Sequence, residues 1–472
     1  MSKSSVVYEC NSCGSQSAKW AGQCRECGKW NSLVESVMVG SQKFRSSQSK
    51  DRNYGTAKLQ KLDEIESGLV TRRQTGIGEL DRVLGGGIVP GEVILMIGEP
   101  GIGKSTLLTQ LALSQEMGLK SSEHLPKIAQ GSELMEHGSG VVYVCGEESP
   151  GQVKIRVQRM QGSHGQTHGS APTESQMQML AETDVDVIIA TIGGRENLAP
   201  TMIIVDSVQT LYSSDLPGLA GSISQIRECT ARLIVYAKSH NVPIILVGHV
   251  TKDGEMAGPK VLEHMVDAVL ELTGDRYYDL RLLRTQKNRF GATDEVGVFQ
   301  MVESGLKEVK NPSEFFLAER EEGAIGSAVT VIMEGTRPVL LEVQALVVES
   351  ELPVPRRVAQ GVDVRRVMIL LGVLQKYARL PIGNKDVFIK VTGGLSVKEP
   401  AIDLAICLAV ASSAKGKALP KNCVAIGEVG LLGEIRSVSW GEKRVKEATK
   451  LGYTKIYSRE SFKRVSEIVK SL

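Results

Sequence analysis

The segment GEPGIGKST at residues 98–106 carries the clearest chemical signal in this chain. It fits the phosphate-binding loop pattern G-x-x-x-x-G-K-[ST], in which glycines let backbone N–H groups turn toward phosphates. The lysine of such a loop reaches the β and γ phosphates, and the next hydroxyl ligates Mg²⁺. The expected nucleotide-binding residues are Gly98, Glu99, Pro100, Gly101, Ile102, Gly103, Lys104, Ser105 and Thr106. The segment therefore predicts a site for ATP and Mg²⁺, with Lys104 as a catalytic residue and Ser105 as a metal ligand.

Acidic residues follow two apolar runs downstream of this loop. VVYV at residues 141–144 leads to Glu147 and Glu148, and MIIV at residues 202–205 leads to Asp206. Because an α/β sheet carries its chemistry at strand ends, we expect Asp206 to hold Mg²⁺ and one of the glutamates to act as general base. His249 follows a third run and can sense the γ phosphate. Helix caps for the carboxylates and a structural role for the histidine remain open.

Four of the eight cysteines lie close together in the spacing C-x2-C-x10-C-x2-C. Two such knuckles can hold Zn²⁺ between four thiolates, and the ligands would be Cys10, Cys13, Cys24 and Cys27. The alternative is a pair of disulfides, but the rest of the chain is typical of a cytosolic protein and its other cysteines are scattered. The spacing favours zinc, and a segment this short should depend on the metal for its fold.

These groups need a framework that brings them together. An apolar run at residues 92–97 precedes the phosphate loop, and residues 106–117 have apolar side chains at helical spacing. This order of strand, loop and helix places the phosphates at a helix N-terminus and indicates an α/β fold.

Length and composition limit the possible classes of protein. The 472 residues suggest about three domains, and the net charge of +2 excludes a general polycation. No apolar run approaches the ~18 residues of a spanning helix, and the chain start has no long apolar signal core. We therefore expect a cytoplasmic protein without a membrane partner. Polar segments at residues 121–140 and 161–173 are expected to be surface insertions.

Several motifs together resemble the RadA family of bacterial DNA repair proteins, also called Sms. They are the zinc knuckles with Lys19, Trp20, Gly22 and Trp30 around them, the phosphate loop, GEES at 146–149, GHVTKDG at 248–254, GPKVLEH at 258–264 and KNRFG at 287–291. The resemblance implies a RecA-like ATPase that forms a hexameric ring, binds single-stranded and branched DNA, and drives branch migration in recombinational repair. It also implies a RecA-type recombinase as partner, and it favours Glu147 over Glu148 as the base.

The KNRFG motif consists of Lys287, Asn288, Arg289, Phe290 and Gly291. We expect it on a loop after a strand at residues 280–283, where its cations would by default face solvent. The resemblance instead implies a functional role, as an arginine finger on a neighbouring subunit's γ phosphate or as a contact to the DNA backbone. Arg289 is therefore a catalytic candidate. The DNA-binding candidates are Lys252, Lys260, Lys287 and Lys385.

Beyond residue 323 the sequence predicts a second α/β domain, which resembles the ribosomal-S5-like proteolytic domain of Lon proteases. The predicted order is a C4 zinc finger (1–34), a flexible linker (35–66), a RecA-like P-loop ATPase domain (67–322) and this Lon-protease-like domain (323–472).

The Lon resemblance raises a rival function, an ATP-dependent serine protease. Alignment places Ala401 where the nucleophilic serine should be and Glu442 near the lysine base, so proteolysis is not expected. The hydroxyls of Ser396, Ser412 and Ser413 are the remaining nearby nucleophiles. A RecA-like signalling ATPase that does not act on DNA is a third possibility.

Overall fold

The computed structural model describes residues 6–10, 15–17, 19–30, 32–37, 72–121, 140–162, 177–194, 200–249, 258–274 and 279–472. The predicted insertions at 121–140 and 161–173 fall almost entirely outside these ranges, as does most of the predicted linker. The described residues divide into two compact units. One takes in Met1–Thr273, Arg281–Thr293 and Met301–Lys307, and the other Gly274–Leu280, Asp294–Gln300 and Glu308–Leu472. The predicted domain boundary at 322/323 stays a prediction.

The strands and helices are numbered along the chain. The strands are β1 Val6–Cys10, β2 Gln16–Ser17, β3 Leu33–Val37, β4 Val93–Gly98, β5 Val141–Cys145, β6 Gln178–Leu180, β7 Met202–Asp206, β8 Ile244–His249, β9 Ala268–Thr273, β10 Leu280–Asn288, β11 Val296–Val302, β12 Gly305–Glu308, β13 Ser327–Glu334, β14 Arg337–Glu349, β15 Arg357–Gln360, β16 Lys385–Val391, β17 Cys423–Ala425, β18 Glu428–Val429, β19 Ile435–Arg436 and β20 Lys455–Tyr457. The helices are α1 Gly78–Leu84, α2 Lys104–Ser121, α3 Pro150–Gly162, α4 Val185–Gly193, α5 Ile223–His240, α6 Gly258–Leu262, α7 Pro312–Leu317, α8 Val364–Tyr377, α9 Asp403–Lys415, α10 Gly441–Lys450 and α11 Val465–Ser471.

A three-stranded antiparallel sheet in the order β2-β1-β3 forms the N-terminal module. Strand β3 pairs with β1 along its whole length, from Leu33 opposite Cys10 to Val37 opposite Val6. The predicted module boundary at residue 34 lies within this ladder, which continues for three more residues, and it stays a prediction.

Seven neighbouring strands of the first unit follow the order β10-β9-β4-β8-β7-β5-β6. The six from β9 to β6 are parallel, and their apolar side chains form a buried core with α4 and α5. Because parallel strands end at the same edge, Gly98 lies beside His249 and Cys145 beside Asp206. The predicted α/β framework is confirmed, and this edge is called the carboxyl edge below.

Strand β10 runs antiparallel to β9 and ends at the opposite edge of the sheet. Its pairing continues through a bulge to Asn288 opposite Ala268, at the start of β9. The prediction that the strand ends at 283 and leaves Lys287 and Asn288 on a loop is wrong, since the ladder hydrogen bonds extend over both residues.

The second unit contains a four-stranded sheet in the order β13-β14-β16-β15, with β15 and β16 parallel. Helix α9 is buried along almost all of its length, and Ala401 lies just before it in a short 3₁₀ turn, Pro400–Ile402. Residues 423–429 contain two short strands, β17 and β18, which belong to different sheets. The chain turns at Ile426 and Gly427, whose N–H groups donate to Tyr457 and Ala401 instead of continuing one ladder.

Among the described residues, no helix combines the length and apolar character needed to cross a membrane.

Candidate functional site

The phosphate loop connects β4 to α2 at the carboxyl edge, as the sequence predicted. A Cβ atom at Gly98 would lie 2.4 Å from the Leu272 carbonyl oxygen, and one at Gly103, where φ is 118°, would lie 2.7 Å from the Met301 methyl carbon. Glycine is therefore required at both positions. The Arg281 guanidinium donates to the Ile102 carbonyl at 3.1 Å, which fixes the middle of the loop from β10.

The Lys104 ammonium is buried within this loop. Its Nζ donates to the carbonyl oxygens of Gly98 and Glu99, at 2.8 and 3.0 Å, and lies 3.1 Å from His249 Nδ1. Burial lowers the pKa of Lys104 to about 8, although the negative charges of Asp206 and Glu147 act in the opposite direction. The lysine thus projects toward the acidic residues at the ends of the neighbouring strands.

His249 connects Lys104 to the candidate general base. Its Nε2 lies 3.0 Å from Glu147 Oε2, while Glu147 Oε1 accepts a hydrogen bond of 2.6 Å from the Ser207 hydroxyl. The other ring nitrogen faces Lys104, so one continuous chain of contacts runs from the phosphate loop through His249 and Glu147 to Ser207.

Asp206 presents one bonded and one unbonded carboxylate oxygen. The Tyr143 hydroxyl donates to Oδ2 at 2.7 Å, whereas Oδ1 is buried and has no hydrogen-bond partner among the described residues. Ligand atoms of Asp206, Glu147 and His249 lie within 4.8 Å of one another. A buried, unsatisfied carboxylate oxygen beside a phosphate loop fits the donor set that Mg²⁺ prefers.

Glu148 makes a different contact from its neighbour. Its carboxylate pairs with Arg156 of α3, and the same guanidinium lies 3.5 Å from the Thr109 hydroxyl of α2. Glu147 contacts His249, which contacts the phosphate-loop lysine, whereas Glu148 is paired with Arg156, so the geometry favours Glu147 as the residue available for chemistry.

The KNRFG motif lies at the edge opposite the phosphate loop. Lys287 Nζ donates to three backbone carbonyls in the turn after α6, those of Glu263, His264 and Val266, at 2.7, 3.3 and 2.8 Å. Burial is the main cause that lowers the pKa of Lys287, and the nearby positive charge of Arg289 adds to it. All three ammonium protons therefore have partners, which gives Lys287 a structural contact in place of the free cation that DNA binding needs.

Arg289 remains 55% exposed although it is anchored at one point. Its Nη1 lies 3.3 Å from Asp267 Oδ1, and its backbone N–H donates to the Asp267 carbonyl. The buried Asp267 carboxylate also accepts from the Val93 N–H at 3.0 Å and pairs with Lys238. Lys238 Nζ in turn lies 5.7 Å from the centre of the Phe290 ring. This cluster presents the Arg289 guanidinium at the sheet edge.

Three of the four predicted zinc ligands converge in the N-terminal module. The Sγ atoms of Cys10, Cys24 and Cys27 lie within 4.8 Å of one another, while Cys13 lies outside the described residues. The Cys10 and Cys27 sulfurs are 3.6 Å apart, close to the spacing of about 3.8 Å expected for two thiolates on one tetrahedral zinc. A disulfide would require about 2.05 Å. The donor set and its spacing therefore fit Zn²⁺.

The remaining DNA-binding candidates are placed differently from one another. Lys260 is exposed on α6, Lys385 forms an ion pair of 2.9 Å with Glu349, and Lys252 lies outside the described residues.

The second unit contains Ala401, the residue that the sequence resemblance to Lon predicts at the nucleophile position. Ala401 is fully buried, and Glu442 is exposed on α10. Ser412 Oγ accepts from the Gly326 N–H and donates to the Lys417 carbonyl, and Ser413 Oγ accepts from the Val347 N–H. These hydroxyls are used within the fold, and Ser396 is exposed.

An ion pair between a buried arginine and a partly exposed glutamate lies next to Ala401. The guanidinium of Arg444 is fully buried, pairs with Glu399, and donates to the carbonyls of Val331 and Ser439 at 2.6 and 2.8 Å. Glu399 also accepts from the Met333 N–H at 2.8 Å. The pair therefore fixes α10 and the turn before α9 to β13.

Sequence reasoning missed several residues of these clusters, above all Tyr143, Arg156 and Asp267. Tyr143 had a weak signal, since a residue with a polar end stands inside the otherwise aliphatic run VVYV. Asp267 directly precedes a strand and its contacts come from three distant points in the chain, so no local pattern marks it.

Comparison with known proteins gives consistent matches. A family described as an AAA domain matches residues 61–255, and one described as a rubredoxin metal binding domain matches residues 8–35. Among solved structures, the ATPase domain of G40P aligns with 52% of this chain and 95% of its own, at 14% identity and a TM-score of 0.41. The RadB recombinase aligns with 50% of this chain and 99% of its own, at 23% identity and a TM-score of 0.36.

Curated relatives match nearly the whole chain. The DNA repair protein RadA of Bacillus subtilis is 44% identical over 457 residues, which are 97% of this chain and 93% of that protein. RadA of Listeria monocytogenes is 43% identical over 455 residues, 96% of this chain and 92% of that protein. With these relatives matching nearly its whole length, an N-terminal metal-binding domain and an AAA domain, the chain belongs to the RadA family of DNA repair proteins.

Proposed function

We propose that this protein is a DNA-dependent ATPase that acts as a motor in recombinational repair, binding single-stranded DNA and promoting branch migration of recombination intermediates. One observation carries the ATPase part of this proposal. The buried Lys104 ammonium, the Glu147 carboxylate and the unbonded oxygen of Asp206 converge at the end of one sheet, beside a loop whose glycines leave room for phosphates. Membership of the RadA family supports the assignment to DNA repair.

Each of these side chains has a role in phosphoryl transfer to water. Lys104 supplies positive charge to the β and γ phosphates, and Glu147 accepts a proton from the attacking water. Asp206 and Ser105 would hold Mg²⁺, which neutralises the charge that develops on the phosphate oxygens. Because the Lys104 N–H groups already have three acceptors, phosphate oxygens must compete with the two loop carbonyls and His249.

His249 connects the contacts of the Lys104 ammonium to those of the Glu147 carboxylate. It contacts both Lys104 and Glu147, so a shift of the ammonium toward phosphate changes the contacts of the base as well. We propose that His249 senses the γ phosphate in this way and passes its state to the segment that follows, which includes the DNA-binding candidate Lys252.

The position of Arg289 supports a site that is completed between subunits. The Arg289 backbone is bonded to Asp267, which also binds the first residue of β4, whereas the phosphate loop starts at the last residue of that strand. At about 3.3 Å per residue, the two ends of β4 are about 17 Å apart, more than an arginine side chain can span. We therefore propose that Arg289 acts on the nucleotide of a neighbouring subunit in a hexameric ring, and that the ring works with a RecA-type recombinase.

The proposal is tested by measuring ATP hydrolysis with and without single-stranded DNA at two salt concentrations. We expect DNA to raise the rate and salt to weaken DNA binding, because phosphate contacts release counterions. Lys104→Ala and Glu147→Gln should each abolish hydrolysis, and both should stop the movement of a labelled branched DNA. If DNA leaves the rate unchanged while Lys104→Ala abolishes it, the protein is an ATPase that does not act on DNA.

The protease alternative is disfavoured by the burial of Ala401, which has no hydroxyl, and by the internal hydrogen bonds of Ser412 and Ser413. Degradation of casein that is lost in Ser396→Ala would establish it instead. The second unit is proposed to act as a scaffold for the ring, with basic surface residues available to DNA.

A further inference from the structure

Tyr143 is a buried side chain whose hydroxyl reaches Asp206 at the carboxyl edge of the sheet. It stands on β5, which pairs with β7 so that Cys145 lies opposite Asp206 and Tyr143 opposite Ile204. From this diagonal position the Tyr143 hydroxyl donates to Asp206 Oδ2 at 2.7 Å, and only 1% of the tyrosine is exposed.

The two oxygens of an aspartate are chemically equivalent, and rotation about the last side-chain bond exchanges them. In this structure the two oxygens have different surroundings. Oδ2 accepts a hydrogen bond from the Tyr143 hydroxyl, whereas the buried Oδ1 has no hydrogen-bond partner among the described residues. The backbone carbonyl of Asp206 is held separately by the N–H groups of Gly146 and Glu147. Among the described contacts, the Tyr143 hydroxyl alone fixes the plane of this carboxylate.

We propose that Tyr143 is a positioning residue for the reaction, which orients the Asp206 carboxylate so that Oδ1 faces Mg²⁺. This inference rests on the proposed ATPase function and on the assignment of Asp206 as a metal ligand. Outer groups that hydrogen-bond a metal ligand commonly set metal affinity over a range of 10- to 100-fold.

Tyr143→Phe in the full-length protein tests the proposal, since it removes the hydroxyl and keeps the ring. The first readout is direct binding of Mn²⁺, followed by electron paramagnetic resonance as a stand-in for Mg²⁺. The second is the Mg²⁺ concentration that gives half-maximal hydrolysis, measured together with kcat and with the ATP affinity in the presence of EDTA. We expect metal affinity to fall about 10-fold or more, while ATP affinity without metal is unchanged.

Tyr236→Phe is the matched control. Tyr236 is also buried in the first unit, but it stands near the end of α5, close to the edge opposite Asp206. Tyr236→Phe should leave the Mg²⁺ concentration for half-maximal hydrolysis unchanged. If Tyr143→Phe binds Mn²⁺ as tightly as the wild type does, the positioning role is refuted.

A double-mutant cycle with Asp206→Asn separates failure of this inference from failure of the proposed function. If Asp206→Asn itself leaves Mn²⁺ binding intact, the metal assignment of Asp206 is wrong, and the role of Tyr143 is overturned with it. If Asp206→Asn weakens binding and Tyr143→Phe weakens it further by the same factor in both backgrounds, Tyr143 acts independently of Asp206 and the inference also fails. The expected result is that the Tyr143 effect disappears once Asp206 is replaced.

Discussion

The placement of Arg289 predicts that two inactive variants restore each other's activity. Lys104→Ala removes the phosphate-loop lysine but keeps Arg289, and Arg289→Ala does the reverse. If Arg289 completes the site of a neighbouring subunit, a ring that contains both variants includes interfaces with one intact Lys104 and one intact Arg289. Each variant alone should be nearly inactive, since an arginine finger contributes about 10³-fold or more to the rate.

The size of the recovery follows from counting interfaces. In randomly mixed rings at equal ratio, one half of the subunits keep Lys104 and one half of their relevant neighbours keep Arg289. About a quarter of the interfaces are then complete, so the mixture should hydrolyse ATP at about a quarter of the wild-type rate. The separation of about 17 Å along β4 excludes completion of the site within one subunit.

The assay is steady-state ATP hydrolysis after co-expression of differently tagged variants and purification through both tags. A mixture of wild type with Lys104→Ala, purified in the same way, reports whether subunits mix. Arg289→Ala should fold normally, because the side chain is 55% exposed and the Asp267 carboxylate keeps Lys238 and the Val93 N–H. Mixed rings that are no more active than either variant alone would refute completion in trans and would leave DNA contact as the role of Arg289.

Four further outcomes follow from the structure. Lys287→Met should destabilise the first unit by about 3 kcal/mol, since three carbonyls lose a charged donor, and thermal unfolding measures the loss. Chelation of zinc, or Cys24→Ser, should unfold the N-terminal module, which circular dichroism of an excised 1–37 peptide with and without Zn²⁺ reports. Glu92→Gln should stabilise the protein by up to about 3 kcal/mol at pH 8 and by little at pH 4, measured by urea denaturation. Glu399→Ala should cost about 3–5 kcal/mol in the unfolding transition of the second unit, because it leaves the buried Arg444 charge unpaired.

The sign of the Glu92 effect follows from its surroundings. Burial raises the pKa of Glu92 from 4.5 to about 7, the negative charge of Asp267 adds to this, and the positive charges of Arg72 and Lys238 oppose it. Between these two values the folded state binds more protons than the unfolded state, so stability falls as pH rises. Glutamine keeps an oxygen for the Val89 N–H and does not titrate.

Matched variants check the other three predictions. Arg289→Ala is the neighbouring cation that should leave stability within about 1 kcal/mol, as expected for an exposed pair. Ca²⁺ in place of Zn²⁺ should not fold the peptide, because thiolates are poor ligands for a hard cation. Glu447→Ala removes a surface pair with Lys450, a residue with 71% of its side chain exposed, and should cost less than about 1 kcal/mol. Equal losses in Glu399→Ala and Glu447→Ala would contradict the burial argument.

The sequence predicted those parts of the site that depend on local pattern. The phosphate loop, Asp206 and Glu147 each lie at or within two residues of the end of an apolar strand, so the order of residues alone places them at one edge of a parallel sheet. The spacing of the cysteines is likewise a local pattern, and it was enough to predict the zinc ligands. The end of β10 was missed because its pairing to Asn288 depends on a partner strand and a bulge, which the run of residues 280–283 does not show.

Contacts between distant segments could not be predicted in the same way. Lys287 was expected to be a free cation, yet its partners are carbonyls in a turn more than twenty residues earlier. The extension of the zinc module to Val37 depends on pairing with Val6 across the whole module. In both cases the hydrogen bonds that decide the structure involve backbone groups. The tertiary fold sets the positions of these groups, and the residue types do not reveal them.

The burial of Ala401, at the position that the Lon resemblance would assign to a nucleophile, has a consequence for chemical detection of this protein. A fluorophosphonate probe labels serine hydrolases through an activated hydroxyl, and here the aligned position offers a fully buried methyl group. The second unit should therefore remain unlabelled at this position. Introducing serine at Ala401 would not create labelling either, because the position has no access to solvent.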